Sequence, residues 1–303
     1  QKDLCLNLQT DKAAGLSFLI SIAYWAQQIH KDSFFAVEYR VSPIKDEEMS
    51  LSEKCHWHRS LFLLEQYKEL LGDRLDLKIP LSEKEVWPKN PIMNVAQDKR
   101  NDQISDNSEH NLEVFLTQNK SLHSEFLKKT GAKFQKFERQ LPVGLFEDEI
   151  KKSKAWTPGG ASQIDLWGAS LDSKEFHLFE LKAKNNKKVG VLPEVIYYTQ
   201  LLSHVQRGTP NGEINFKHSD NDIPNGLLKA KNSENITAWI LAPKGEIHPF
   251  VLKQMENGQL LSPLEWFNKN ANAQNIQYKI FPFELDEGLT HTIKCWCSEL
   301  YFK

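Results

Sequence analysis

Residues 162–184, SQIDLWGASLDSKEFHLFELKAK, constrain the fold more than any other part of the chain. They read as two short apolar strands joined by a turn. A strand points residues i and i+2 to the same side, so Glu180 and Lys182 of the second strand project together, while the first strand carries Asp165. A hairpin this apolar on both faces belongs inside a sheet. Burying charges among Phe176, Leu178, Phe179 and Leu181 is costly unless something binds them. A divalent metal and a phosphate would do that.

The 303 residues suffice for one large domain or two ordinary ones, and 40% hydrophobic with 26% charged content describes a folded globular chain. The longest apolar stretch, residues 13–26, contains two serines and falls short of the ~20 apolar residues of a spanning helix. It is expected to be buried core, with no membrane partner. The chain opens on Gln1, and no basic segment leading to a small-residue cleavage site is visible. Cys5, Cys55, Cys295 and Cys297 are too few and scattered for a disulfide framework, so a reducing, cytoplasmic setting is expected. A net charge of -2 argues against a protein that coats polyanions generally. Yet Lys182, Lys184, Lys187 and Lys188 fall within seven residues. Alone such a run is a solvated face; beside two carboxylates it gains weight as a phosphate-facing surface.

Residues 1–95 read as an accessory α/β module, with a strand at 34–41 and a helix at 52–71 that stops at Gly72. Residues 86–107, rich in Pro, Asn and Asp, read as a linker or long loop. The rest, 96–303, reads as the larger domain. Ser108 caps a helix with Glu109 in its first turn, and a second helical piece at 122–129 ends at Gly131. Residues 133–141 read as a strand, followed by the two strands of the hairpin and a helix with Pro193 in its first turn. Strands near 236–241 and 277–283, a helix near 263–268 and a strand-like tail complete the pattern. An α/β fold with a mixed sheet flanked by helices follows.

A helix bearing a glutamate, a strand, a strand with an aspartate, a strand with Glu-x-Lys and a further helix resembles the PD-(D/E)xK, or restriction-endonuclease-like, nuclease superfamily. The matching pieces are SEHNLEVFLTQN, KFERQLPVG, GASQIDLWG, FHLFELKAK and PEVIYYTQLL, within residues 108–206, about a third of the chain. They are particularly similar to Holliday-junction-resolvase and RecB-type nuclease domains. The RecB-type helix often shows Gln-x-x-x-Tyr; here Glu194 and Tyr198 hold those places, with Glu in place of Gln. The resemblance implies Mg2+-dependent hydrolysis of DNA phosphodiester bonds, with Mn2+ as a substitute ion, RNA as another substrate, and dimerisation where two strands are cut.

The chemistry asks for these residue types. Mg2+ takes a few carboxylates together with waters and a phosphate oxygen. Asp165 and Glu180 on neighbouring strands supply carboxylates, and the resemblance implies that the Leu181 carbonyl adds a ligand. Lys182 is placed to orient the attacking hydroxide or offset developing charge. Glu109 and Glu113 lie i, i+4 on one helix face, and either completes the set; Glu109 is favoured because it opens the helix. Gln140 ends the strand before the hairpin and is a further candidate for touching substrate or water. The bare triplet carries little weight, since Glu149-Ile150-Lys151 repeats it without an aspartate-bearing partner strand. The bland alternative is a same-face ion pair on a surface hairpin. A second function class, a silent nucleic-acid-binding or assembly module, keeps the fold without cutting. Zinc is disfavoured, because Cys295-Trp296-Cys297 is tighter than the usual ligand spacing.

Overall fold

The computed structural model describes residues 14–29, 35–38, 49–71, 75–78, 83–93, 108–158, 162–183, 190–216, 226–248, 251, 263–271, 275–285 and 293–296. In chain order the elements are α1 (Ala14–Ile29), β1 (Phe35–Glu38), α2 (Leu51–Leu71), β2 (Leu75–Lys78), α3 (Glu83–Val86), β3 (Pro91–Met93), α4 (Ser108–Gln118), α5 (Lys120–Thr130), β4 (Glu138–Pro142) and β5 (Leu145–Glu147). There follow β6 (Gln163–Ala169), β7 (Glu175–Leu181), α6 (Val191–Arg207), β8 (Asn215–Phe216), α7 (Gly226–Asn232), β9 (Asn235–Pro243), α8 (Pro263–Ala271), β10 (Ile276–Leu285) and β11 (Ile293–Trp296). The protein is mixed α/β, with two mixed sheets and flanking helices. Among the described residues no helix is long and apolar enough to cross a membrane.

The chain forms two compact units. The first comprises residues 1–95, 142–162 and 189–218; the second comprises 96–141, 163–188 and 219–303. A single boundary near residue 95 therefore does not describe the division, because two later segments group with the N-terminal one. Helix α6, which the sequence pattern attaches to the hairpin, lies in the first unit. Strand β3 falls where a linker is expected, pairing antiparallel with β5 and parallel with β8. Its proline stands at the first strand position, where the missing N–H is tolerated, and Met93 is fully buried. Residues 94–107 of the expected linker lie outside the described residues.

The second unit is built on a six-stranded sheet in the order β11-β10-β9-β7-β6-β4. Strand β7 runs antiparallel to β6 and parallel to β9, which runs parallel to β10. Helix α5 starts at Asn119, whose side chain accepts a hydrogen bond from the Leu122 N–H, and ends at Gly131 in the left-handed region. Its Phe126 is fully buried, with ring centres 5.7 Å from Phe179, 5.1 Å from Trp239 and 4.8 Å from Phe281. Residues 133–141 enter the sheet only from Glu138. Before that point Phe134 and Phe137 turn into the same aromatic cluster, and the Gln135 N–H donates to the Ala169 carbonyl. Tertiary packing of two aromatics outweighs the strand pattern there. On the other face of the hairpin Trp167 stacks on Phe176 at 5.7 Å.

Gly168 in β6 lies under the Phe134 ring. A Cβ at this position would stand 2.5 Å from Phe134 Cδ2 and 3.1 Å from the Lys136 carbonyl oxygen. Gly168→Ala is expected to destabilise the unit by about 1–3 kcal/mol, as overpacking of a filled core does. Chemical denaturation checks this; an unchanged midpoint would contradict the packing described.

Candidate active site

Strands β6 and β7 pair with Leu166 beside Phe179 and Trp167 beside Leu178. One step further along this register brings Asp165 beside Glu180, and residues directly opposite on a ladder share a face. Asp165 is half-buried, whereas Glu180 is only 3% exposed. Lys182 Nζ donates to Glu180 Oε1 at 2.5 Å, and the Leu181 N–H donates to Asp165 Oδ2 at 2.8 Å. The Lys182 N–H in turn donates to the Leu241 carbonyl of β9 at 2.8 Å. The end of β7 is thus held from both neighbouring strands, with two carboxylates and an ammonium gathered on it.

The two glutamates of α4 part company. Glu109 Oε1 accepts from the Ala183 N–H at 3.3 Å, just beyond the Glu-x-Lys strand. Glu113, one turn further on, is buried and turned to β4 instead: its Oε2 accepts from Arg139 Nε at 3.3 Å and from Gln140 Nε2 at 3.2 Å. Arg139 Nη2 also lies 3.1 Å from His110 Nδ1. Burial pushes the Glu113 carboxyl up from its ordinary range, against the opposing charge and hydrogen bonding of Arg139.

Neighbouring residues of a strand normally point to opposite faces. Arg139 and Gln140 both reach the same oxygen of Glu113 because Gln140 adopts φ 50, in the left-handed region. For a side chain with a Cβ that conformation costs about 1–2 kcal/mol. Arg139 and His110 were not singled out by the sequence; the available signal was the polar run Glu138-Arg139-Gln140 in a strand expected to lie in the sheet.

Glu194 and Tyr198 stand on α6 of the first unit, where Tyr198 is buried and Arg59 lies 5.8 Å from its ring centre. Lys184, Lys187 and Lys188 lie outside the described residues, as does Cys297. Cys55 donates its thiol to the Ala155 carbonyl, and burial pushes it up to about 11, which makes it an inert core thiol.

Among the described residues no group of three or more His, Cys, Asp or Glu side chains is arranged to hold a metal ion. Asp165 and Glu180 are a two-carboxylate set of hard oxygen donors. This suits Mg2+, which keeps several waters and is bound through one or two carboxylates with substrate phosphates, and it does not suit a closed zinc site. Comparison of the chain with models of known families, with curated proteins and with solved structures gives no match.

The divergence of the two glutamates separates structural from chemical effects. Glu113→Ala leaves the Arg139 guanidinium, 3% exposed, without its carboxylate, and is expected to cost about 3 kcal/mol of stability. Glu109→Ala removes the acceptor of the Ala183 N–H at a half-buried position and is expected to cost about 1 kcal/mol. Paired denaturation curves check the ordering; equal losses would contradict the assignment.

Proposed function

We propose that the second unit is a restriction-endonuclease-like domain that hydrolyses phosphodiester bonds, with DNA as substrate and Mg2+ or Mn2+ as cofactor. One observation carries the reading: Asp165, Glu180 and Lys182 converge at the ends of two core strands. A sheet selected only for stability would hold apolar residues there. The helix–strand–hairpin order of α4, β4, β6 and β7 supports it, as does Glu109 reaching the backbone beyond Lys182.

Asp165 and Glu180 would hold the ion together with the Leu181 carbonyl. A bound divalent ion supplies a water of lowered pKa and a clamp on the phosphate oxygens. Lys182 stays beside Glu180, where its ammonium orients the attacking oxygen and offsets charge that develops on the phosphate. The low exposure of Glu180 keeps bulk water from screening that charge. Glu109 steadies the exit of β7 by fixing the Ala183 N–H.

The test is a cleavage panel of plasmid, linear, single-stranded and branched DNA, with RNA, in Mg2+ and Mn2+. Asp165→Asn retains an oxygen for the Leu181 N–H, and Lys182→Met retains most of the buried stem, so both are expected to fold. Each should lose at least about 100-fold in rate. Wild-type cleavage by either variant overturns the reading. Calorimetric titration with Mg2+ should show binding that Asp165→Asn weakens; no binding at all favours a silent nucleic-acid-binding module of the same fold.

A further inference from the structure

Helix α7 lies on the face of the sheet that carries Asp165 and Glu180. Alternation puts Asp165 and Trp167 on one face of β6, and the register sets Trp167 level with Leu178, two residues before Glu180 on β7. Gly226, the first residue of α7, rests on that face. A Cβ there would stand 2.6 Å from Leu141 Cδ1 and 3.1 Å from Trp167 Cε2 and Cζ2. The missing side chain lets the helix settle closely on β4 and β6.

Lys229 follows three residues later, on the same side of α7. Its ammonium lies 5.6 Å from the centre of the Trp167 ring, within the range of a cation–π contact, and the residue is half-buried. Such a contact holds the side chain in place without cancelling its charge. Lys174, Lys182, Lys244 and Arg139 each stand beside a carboxylate. Lys229 pairs with no acidic side chain among the described residues.

The neighbourhood gives this charge a use. Lys182 is committed to Glu180, and Asp165 adds a further negative charge, in a chain of net charge -2. A polyanion approaching the carboxylate pair therefore needs a cation beside it. From Asp165 to Trp167 is two residues, roughly 7 Å along the strand. A nucleic-acid strand carries one phosphate about every 3.4 Å of helix axis, so this step corresponds to about two nucleotides.

We propose that Lys229 binds a backbone phosphate of the substrate strand, within about two nucleotides of the phosphate attacked at Asp165 and Glu180. This role presupposes the phosphodiester reading and adds a fixed point for the strand. Lys229 touches no reacting atom: it positions the backbone, and a contact of that kind carries no sequence information. Trp167 in turn positions Lys229. A β-sheet core does not require an ammonium over this ring, and an apolar side chain would pack there at lower cost.

Binding of a labelled DNA duplex and of a labelled single strand is followed by fluorescence anisotropy between about 50 and 200 mM salt. The protein is the full chain carrying Lys182→Met, so that cleavage does not intrude. Adding Lys229→Met should weaken both probes and lower the slope of log affinity against log salt by about 0.9 for the duplex and about 0.7 for the single strand. Lys229→Arg should restore the slope, which a purely structural role of the lysine stem would not require. Lys174→Met, in the turn at the far end of β7, should leave the slope unchanged. An unchanged slope with Lys229→Met, in a protein whose far-ultraviolet spectrum is intact, overturns the role of Lys229 and leaves the phosphodiester reading standing. So does an equal fall with Lys174→Met, which would mark a diffuse effect of charge. If neither the wild type nor the Lys182→Met protein binds either probe, both readings fall.

Discussion

Strand β7 is hydrogen-bonded to β6 on one side and to β9 on the other, and Phe176–Leu181 is buried without interruption. The second unit depends on this. A strand enclosed in that way has no water to stabilise a charge, so a charged group on it needs a partner within the protein. Glu180 is met by Lys182, Asp165 on the neighbouring strand by the Leu181 N–H, and His177 by the Trp239 indole. Each interaction also fixes a side chain in one orientation. Enclosure thereby converts a requirement of stability into a preorganised arrangement of charges.

The aromatic cluster supplies that enclosure. Phe126 touches three strands at once and brings α5 down on Phe179, Trp239 and Phe281. Phe134 and Phe137 close its edge at 5.0 Å from each other, at the expense of the first half of an expected strand. Gly168 lets Phe134 come close.

Much of this arrangement was legible because it rests on local signals. The hairpin, with Asp165, Glu180 and Lys182 on one side, follows from apolar runs, a turn and period-two alternation, and Gly131 ends α5 as its position suggests. The partition of Glu109 and Glu113 was not legible. Both lie on one helix face, and what separates them is the pairing of β4 with the sheet and the left-handed backbone of Gln140, neither of which has a local signal. The grouping of residues 142–162 and 189–218 with the N-terminal segment was hidden for the same reason. Contacts distant in sequence decide it, and composition changes little across those boundaries.

Alternation along β7 sends chemistry to two faces. His177 and Phe179 point toward α5, while Glu180 and its partner Asp165 lie on the face of Trp167 and Phe176. A slip of one residue would exchange these sets, setting Glu180 against Phe126 and Phe179 against the charges. The cost of that exchange is a buried carboxylate without its ammonium and an aromatic cluster without its central ring. Register is therefore specified from both ends of the strand at once. The groups that look most expensive in the core, Glu180 and His177, are also those that make any other pairing worse.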